Sequence, residues 1–438
     1  MNKFKIIIVG GGPVGLTTAH ALHKAGIDFE LLERRKEYIL EEGAGLAIGP
    51  QNLRVFHQLG LLDKLLKHGT EILQNKGFTA NGRQFKGSWI FKEVSENHGS
   101  GPVVIHRAHV VKTLYESMTE DLRARCHLDK TVSDINHSEH CVEVLCSDGS
   151  LFKGDMVLGA DGANSKVRKI IRRLALLDNP NAQWDAEEVY SCEYKSIWFS
   201  VPGRHDDIAP GQLYETQNTN NSVMYMQGRD RGWAFLFEKL PEPTTACVKY
   251  TEKDMAELAE RMADYPVTEK FKVKDAFAQR AAAGMGNLQE GMANNWSWGR
   301  IVLVGDACHK FTPNAGLGFN NGVQDIVALC NGLREVVAGK PKPDMDTLSH
   351  VFETYKANRQ ELLQADATTS ANVTRMQAWQ SFFFYLMARF IMSINPLQVW
   401  LLNVFSTPLV SRSLVFDYIA DEEPMRGNFP WENKMPTL

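Results

Sequence analysis

The chain has 438 residues, with 48 Lys and Arg against 52 Asp and Glu, a net charge of −4 and no basic block; that leaves no positive field to hold a nucleic-acid backbone. Its length exceeds what one small core organises and suits two interlocked domains with an appendage. Seven cysteines without a Cys-x-x-Cys pair, and a strand that starts almost at Met1 with no charged-then-apolar leader, predict a reducing, cytoplasmic setting in which the three Asn-x-Ser/Thr matches carry no sugar.

Phe4-Lys5-Ile6-Ile7-Ile8-Val9 reads as a buried strand, followed by Gly10-Gly11-Gly12-Pro13-Val14-Gly15 and a helix to Ala25-Gly26. This is G-x-G-x-x-G in its proper setting: Gly10 for the tight turn, Gly12 for room beside a pyrophosphate, Gly15 for close packing of helix on strand. Phe29-Glu30-Leu31-Leu32 is a second strand, and Glu33 at its tip, with Arg34 beside it, is spaced to bind the two hydroxyls of an adenosine ribose. Glu42-Gly43-Ala44-Gly45-Leu46-Ala47-Ile48 is a loop of glycines and small residues.

Residues 79–101 are short and turn-rich, and Ile105-His106-Arg107-Ala108 follows them. Asp155-Met156-Val157-Leu158-Gly159-Ala160-Asp161-Gly162 reads as a strand entering a turn before a helix start. From 183 to 284 the pattern becomes alternating, with strands expected at Ser191 to Phe199, Gln212 to Thr216, Ser222 to Gln227 and Gly232 to Phe237, then a helix from Glu252 to Ala263. Alternation puts Tyr194 and Lys195 on opposite faces. Tyr214, Met224, Met226, Trp233 and Phe235 are candidates for an apolar pocket, although core packing explains such a stripe equally well.

Ile301-Val302-Leu303-Val304 is a strand that delivers Asp306 to a carboxyl end, where it can accept hydrogen bonds from ribityl hydroxyls. Gly305 precedes it, and Pro313, Gly316, Gly318, Phe319 and Asn320 form the turn and helix start beyond. The glycines admit close backbone approach, and the helix aims its N–H groups at a ligand that carries negative charge. His20/His23 and His137/His140 lack a third ligand and predict no metal; His309 is given a structural or ring-capping role.

Between Trp379 and Phe405 lie two apolar segments split by Asn395-Pro396 and interrupted by Arg389. Each is shorter than the ~20 residues of a spanning helix. The expectation is a helical hairpin packed on the first domain, with interfacial membrane contact as the alternative.

The three separated motifs, in this order, resemble the group A FAD-dependent monooxygenases of the para-hydroxybenzoate hydroxylase type, over about the first 375 residues. The resemblance implies an α/β fold: a discontinuous Rossmann-type FAD-binding domain (1–78, 102–182, 285–375), an inserted antiparallel substrate domain (79–101, 183–284) and an apolar helical tail (376–438). It implies that Asp161 and Gly162 lie near the pyrophosphate and serve both FAD and NADPH, that Arg107 contacts the FAD phosphate or adenine side, that Gly305 and Asp306 hold the ribityl chain, and that Gly45 and Ala47 belong to a loop under a mobile flavin. Phe319 departs from the small residue common there and predicts a bulkier wall beside the pyrimidine ring. Within the family, the fungal branch implies insertion of one O2-derived oxygen through a flavin C4a-hydroperoxide into a hydrophobic small molecule. The preferred reaction is 2,3-epoxidation of a prenylated indole alkaloid, leading to an oxindole, with Lys195 as proton donor and Tyr214 as a second catalytic residue. The alternatives are epoxidation of a prenyl olefin, aromatic hydroxylation, a flavin oxidase, and a prenyl-binding escort without redox activity.

Overall fold

The structure is a computed structural model that describes residues 4–41, 44–203, 208–339 and 342–437; Glu42 and Gly43 of the small-residue loop lie outside it. Lys5–Val9 forms the middle of a six-stranded sheet, flanked in parallel by Asp28–Leu32 and Met156–Gly159. Its β-branched run is buried on both faces, with Ile6, Ile7 and Ile8 fully covered; helix Pro13–Ala25 and strand Leu151–Gly154 of a separate three-stranded sheet pack against it. Ile301–Leu303 extends the sheet in parallel beyond Met156–Gly159. The carboxyl ends of three strands therefore open on one edge, where the Gly10, Asp161 and Asp306 turns meet. Helix Pro13–Ala25 stops at Gly26, whose left-handed conformation lets its N–H return to the carbonyls of His23 and Leu22.

The second sheet has eight strands, in the order His309–Lys310, Ala282–Met292, Ser191–Pro202, Arg231–Thr244, Asn221–Gln227, Gln212–Asn218, Gln74–Thr79 and Gln84–Ser88. It reaches further than the sequence boundaries: Gln74–Thr79 begins before residue 79, and Ala282–Met292 runs past 284. One face packs through Ile197, Phe199, Tyr214, Tyr225 and Leu236 onto helices Glu252–Arg261 and Val273–Ala278. The opposite face, with Leu213, Met224, Met226, Trp233, Phe235 and Phe237, packs toward Ile72 and Val104 of the first domain.

After the long helix Met345–Gln377, only part of the expected helical tail is helical. Segments from Phe382 to Ser411 form a bent hairpin, whose first arm touches the end of helix Met345–Gln377 while the rest lies off the flavin domain. It lies on the substrate sheet's edge strand and on helix Ile90–His98: Asn395 donates to Gly87 O at 2.8 Å and Ser88 Oγ donates to Gln398 at 2.6 Å. Residues 412–437 form no helix. They run back across the first domain, held by an ion pair from fully buried Arg54 to Glu423 at 2.7 Å, by the Arg54 guanidinium 4.0 Å over the Trp431 ring, and by Gln58 bonds to the carbonyls of Phe416 and Ile419.

Candidate flavin site

The nucleotide end is built from three close approaches. A Cβ on Gly15 would stand 1.9 Å from Gly10 O, and one on Gly10, at φ +109°, would stand 2.4 Å from Ala160 O, so neither position admits a side chain. Above Gly12 nothing lies within 4 Å. The N-terminus of helix Pro13–Ala25 has no side-chain cap, and its free N–H groups point into that space, as a diphosphate requires. Glu33 is buried at the second strand's tip and accepts from Gly11 N at 2.7 Å and Arg35 N at 2.9 Å, so its carboxylate braces the turn beside the ribose position. Arg34 is exposed next to it.

Arg107 opens helix Arg107–Glu116, whose N-terminus is likewise without a side-chain cap. Its guanidinium makes no direct hydrogen bond or ion pair among the described residues. The side chain is solvent-exposed; the neighbouring protein still lowers its pKa, Arg35 adds to that, and Asp306 and Glu33 oppose it. A cation held in this way, between two carboxylates and beside free N–H groups, fits an anionic diphosphate.

Asp161 does not extend toward that space. Its carboxylate accepts from Ser165 Oγ at 2.5 Å, Lys166 N at 2.7 Å and Val167 N at 3.0 Å, which fixes the start of helix Lys166–Asp178 and leaves the turn at Gly162 open. Arg168, on the same helix, donates to Ala163 O at 2.7 Å and Ala307 O at 2.8 Å, tying the second turn to the third. Nothing in the sequence pattern marks Arg168 for this role, because both acceptors are backbone carbonyls.

The third turn is suspended from a buried ionic cluster. Asp325 accepts from Gly305 N at 2.9 Å and from Arg359 Nε at 2.9 Å, and lies 2.6 Å from His309 Nε2. Burial alone would raise its pKa, but His309 and Arg359 outweigh that and hold the carboxyl below its usual value. Cys308, His309 and Asp325 have metal-type donor atoms within 4.8 Å of one another, but Arg359 already supplies the cation. Asp306 follows Gly305, pairs with Lys310, and offers its backbone carbonyl to Tyr190 Oη at 2.9 Å.

Beyond it, Pro313 is exposed and Gly316, at φ +66°, would set a Cβ 3.2 Å from that of Ala47. A Cβ on Gly318 would stand 3.6 Å from Asp306 Oδ1. Asn320 clamps the turn to strand Gly45–Ile48: it donates to Ala47 O at 2.8 Å and Gly316 O at 2.7 Å, and accepts from Gly49 N at 2.9 Å and Asn52 Nδ2 at 2.8 Å. Phe319 turns inward to stack on Phe56, with ring centroids 6.2 Å apart, so its bulk goes to the core and not to a wall beside the pyrimidine ring. Gly45 lies under the Trp233 indole, where a Cβ would meet the ring at 2.9 Å. Trp233 Nε1 donates to His106 Nδ1 at 3.2 Å; burial, then Arg231, lower the His106 pKa and keep that nitrogen an acceptor at neutral pH.

Residues 3–369 match the FAD binding domain family. An FAD-dependent monooxygenase of Penicillium shearii, esdpE, is 32% identical over 89% of this chain and 81% of its own length, and one of Alternaria brassicicola, DEP2, is 31% identical over 99% and 82%. The chain is a group A FAD-dependent monooxygenase of the fungal secondary-metabolism branch. Its fold is similar to a variant of Klebsiella pneumoniae HpxO complexed with FAD, with a TM-score of 0.74 at 19% identity over 92% of this chain and 99% of that one. When bound, FAD supplies the electron transfer and oxygen activation of the reaction; the open space at Gly12, the unpaired Arg107 and the two uncapped helix starts fit its diphosphate.

On the substrate side of the monooxygenase, the structure separates residues that the sequence groups together. Met224, Met226, Trp233 and Phe235 face the flavin domain. Lys195 and Tyr214 do not. Lys195 shares its face with Ile197 and Phe199, and its Nζ pairs with Glu238 Oε2 at 2.8 Å, which Arg261 also holds at 2.9 Å. Tyr214 packs on the same far side, donates to Gln212, and stacks near Phe78 with centroids 6.3 Å apart. Neither can reach a reacting atom on the flavin side. Tyr194, which alternation puts opposite Lys195, is buried on the flavin-facing side with its hydroxyl unpaired.

Proposed function

We propose that this monooxygenase takes reducing equivalents from NADPH and epoxidises an olefin in a prenylated, largely apolar small molecule. The balance is one O2, one NADPH and one proton consumed; one oxygen bridges the two alkene carbons, and the other leaves as water. The observation that carries this reading is the flavin-facing side of the substrate sheet, whose central rows are Trp233, Phe235, Phe237, Met224 and Met226. Such a surface excludes water and orients a hydrocarbon chain by shape, and methionines adapt to its bends.

Oxidation of an indole 2,3-bond with migration to an oxindole has less support. That route needs a proton delivered where an alkoxide develops, and Lys195, the donor assigned to it, pairs with Glu238 on the far face.

Purified protein incubated with FAD, NADPH, 18O2 and a panel of prenylated phenols, prenylated indoles and simple phenols tests the proposal. A product with one labelled oxygen that adds water to become a diol supports it. An oxindole from the indoles alone, or ring hydroxylation of simple phenols, replaces it with one of the other reactions.

A further inference from the structure

The tail hairpin is amphipathic in the inverse sense for a helix pair in water. Its polar side chains face the protein: Asn395 and Gln398 bond the edge strand, Asn97 donates to Asn403 Oδ1 at 2.6 Å, and Asn403 Nδ2 reaches Glu93 at 3.1 Å. Its apolar side chains face outward. Phe382, Phe383, Phe390, Trp400 and Phe405 are each more than half exposed, and Ile394 nearly so. From Phe382 to Val410 the sequence has a single charged residue, Arg389, and that guanidinium is turned in over the Phe85 ring at 4.3 Å.

The arms, Phe382–Ile391 and Asn395–Ser411, meet at 108°. Among the described residues no single helix is long and apolar enough to cross a membrane; at 1.5 Å per residue the longer arm extends about 25 Å, against a hydrocarbon core of about 30 Å. A sharp bend, a polar side committed to the protein and an outer surface without charge describe an element that lies in an apolar medium without crossing it. A protein partner is a poorer match, because the hairpin's own outer face carries no charged side chain and its amide side chains Asn395, Gln398 and Asn403 are already bonded inward.

We propose that the hairpin is a monotopic membrane-docking element that inserts its aromatic side into one leaflet of a lipid bilayer. Insertion is driven by apolar burial and needs no anionic headgroup, since the segment presents no basic cluster. Docking sets the edge strand Gln84–Ser88, and with it the substrate sheet, against the membrane surface. The proposal does not depend on which olefin is oxidised.

The test is flotation of the FAD-loaded full chain with vesicles of pure phosphatidylcholine, at about 0.05 M and about 0.5 M salt. Binding that is equal at both salts is expected, and replacing Phe382, Phe383, Trp400 and Phe405 together by Ser lowers partition by at least about a hundredfold. The flavin spectrum and the melting temperature of that variant stay close to wild-type values, because the four side chains are mostly exposed and touch mainly other residues of the hairpin. Wild-type protein that remains in the aqueous fraction overturns the proposal, and a dimeric mass in that fraction assigns the face to a second copy. Binding that appears only after phosphatidylserine is added to the vesicles and disappears at the higher salt also overturns it.

Discussion

Lys195 Nζ lies 2.8 Å from Glu238 Oε2, and the two residues are direct cross-strand neighbours on the sheet face turned away from the flavin domain. Burial works to raise the Glu238 pKa, but Arg261 and Lys195 outweigh it and the carboxyl is held low. Both partners are partly exposed, so a double-mutant cycle of Lys195→Met and Glu238→Gln is expected to give a coupling of no more than about 1 kcal/mol in denaturant unfolding. A much larger coupling would mean that the pair is more enclosed than its geometry indicates.

The second and third of the motif glycines, Gly12 and Gly15, separate cofactor binding from folding. Gly12 has open space where a Cβ would go, whereas Gly15 has a carbonyl 1.9 Å away. Gly12→Ala is expected to leave the apoprotein melting temperature unchanged while weakening FAD by about two orders of magnitude, equivalent to about 2.7 kcal/mol. Gly15→Ala should destabilise the apoprotein itself. Titration of apoprotein with FAD, alongside thermal melts, measures both; equal FAD affinity in Gly12→Ala would remove the diphosphate from that space.

Asp325 is the anchor of the third turn. Asp325→Asn leaves Arg359 buried without its counter-charge and is expected to cost about 3–5 kcal/mol, with loss of bound FAD because Gly305 is no longer held. The depressed pKa gives the acid dependence its sign: the stabilisation is complete above the ordinary carboxylate range near 4 and is lost as pH falls toward the lower folded value. Melts and flavin stoichiometry at pH 7 check this, and a variant that keeps both contradicts the anchoring role.

His98 lies tilted against the Trp431 ring, with centroids 5.0 Å apart, beneath the returning tail. Burial, with Arg54 nearby, pushes its pKa down to about 4. An unfolded chain takes up this proton below about pH 6.5 and the folded one does not until about 4, so stability falls as pH drops through that window, by roughly 2 kcal/mol between pH 7 and pH 5. His98→Gln should flatten that part of the slope in unfolding curves at the two pH values. An unchanged slope would place the proton uptake elsewhere.

Much of the cofactor half is legible in the sequence because its determinants are local. A β-branched strand, a glycine turn and a helix follow one another within twenty residues, and the fold repeats the idea at Asp161 and Asp306. The clamps that join these turns are not legible. Arg168 reaches carbonyls at Ala163 and Ala307, and Asn320 bonds Gly49 and Asn52 from 271 and 268 residues away; no spacing rule encodes such contacts. Lys195 shows a different limit. Alternation puts it opposite Tyr194, but which side of a sheet meets the flavin domain is decided by the helices that cover the other side. The tail misleads because its few polar residues are the inward ones, the reverse of the pattern from which burial is ordinarily read.

The most direct test of the account is the amount of 18O-labelled product formed per NADPH consumed, measured in parallel for wild type, Lys195→Met and Phe235→Ser with an accepted prenylated substrate. Lys195→Met is expected to keep wild-type coupling to within about twofold, and Phe235→Ser, by admitting water to the apolar face, to divert most NADPH to hydrogen peroxide. Loss of labelled product in Lys195→Met, with coupling intact in Phe235→Ser, would contradict that expectation and place the reaction on the other side of the sheet.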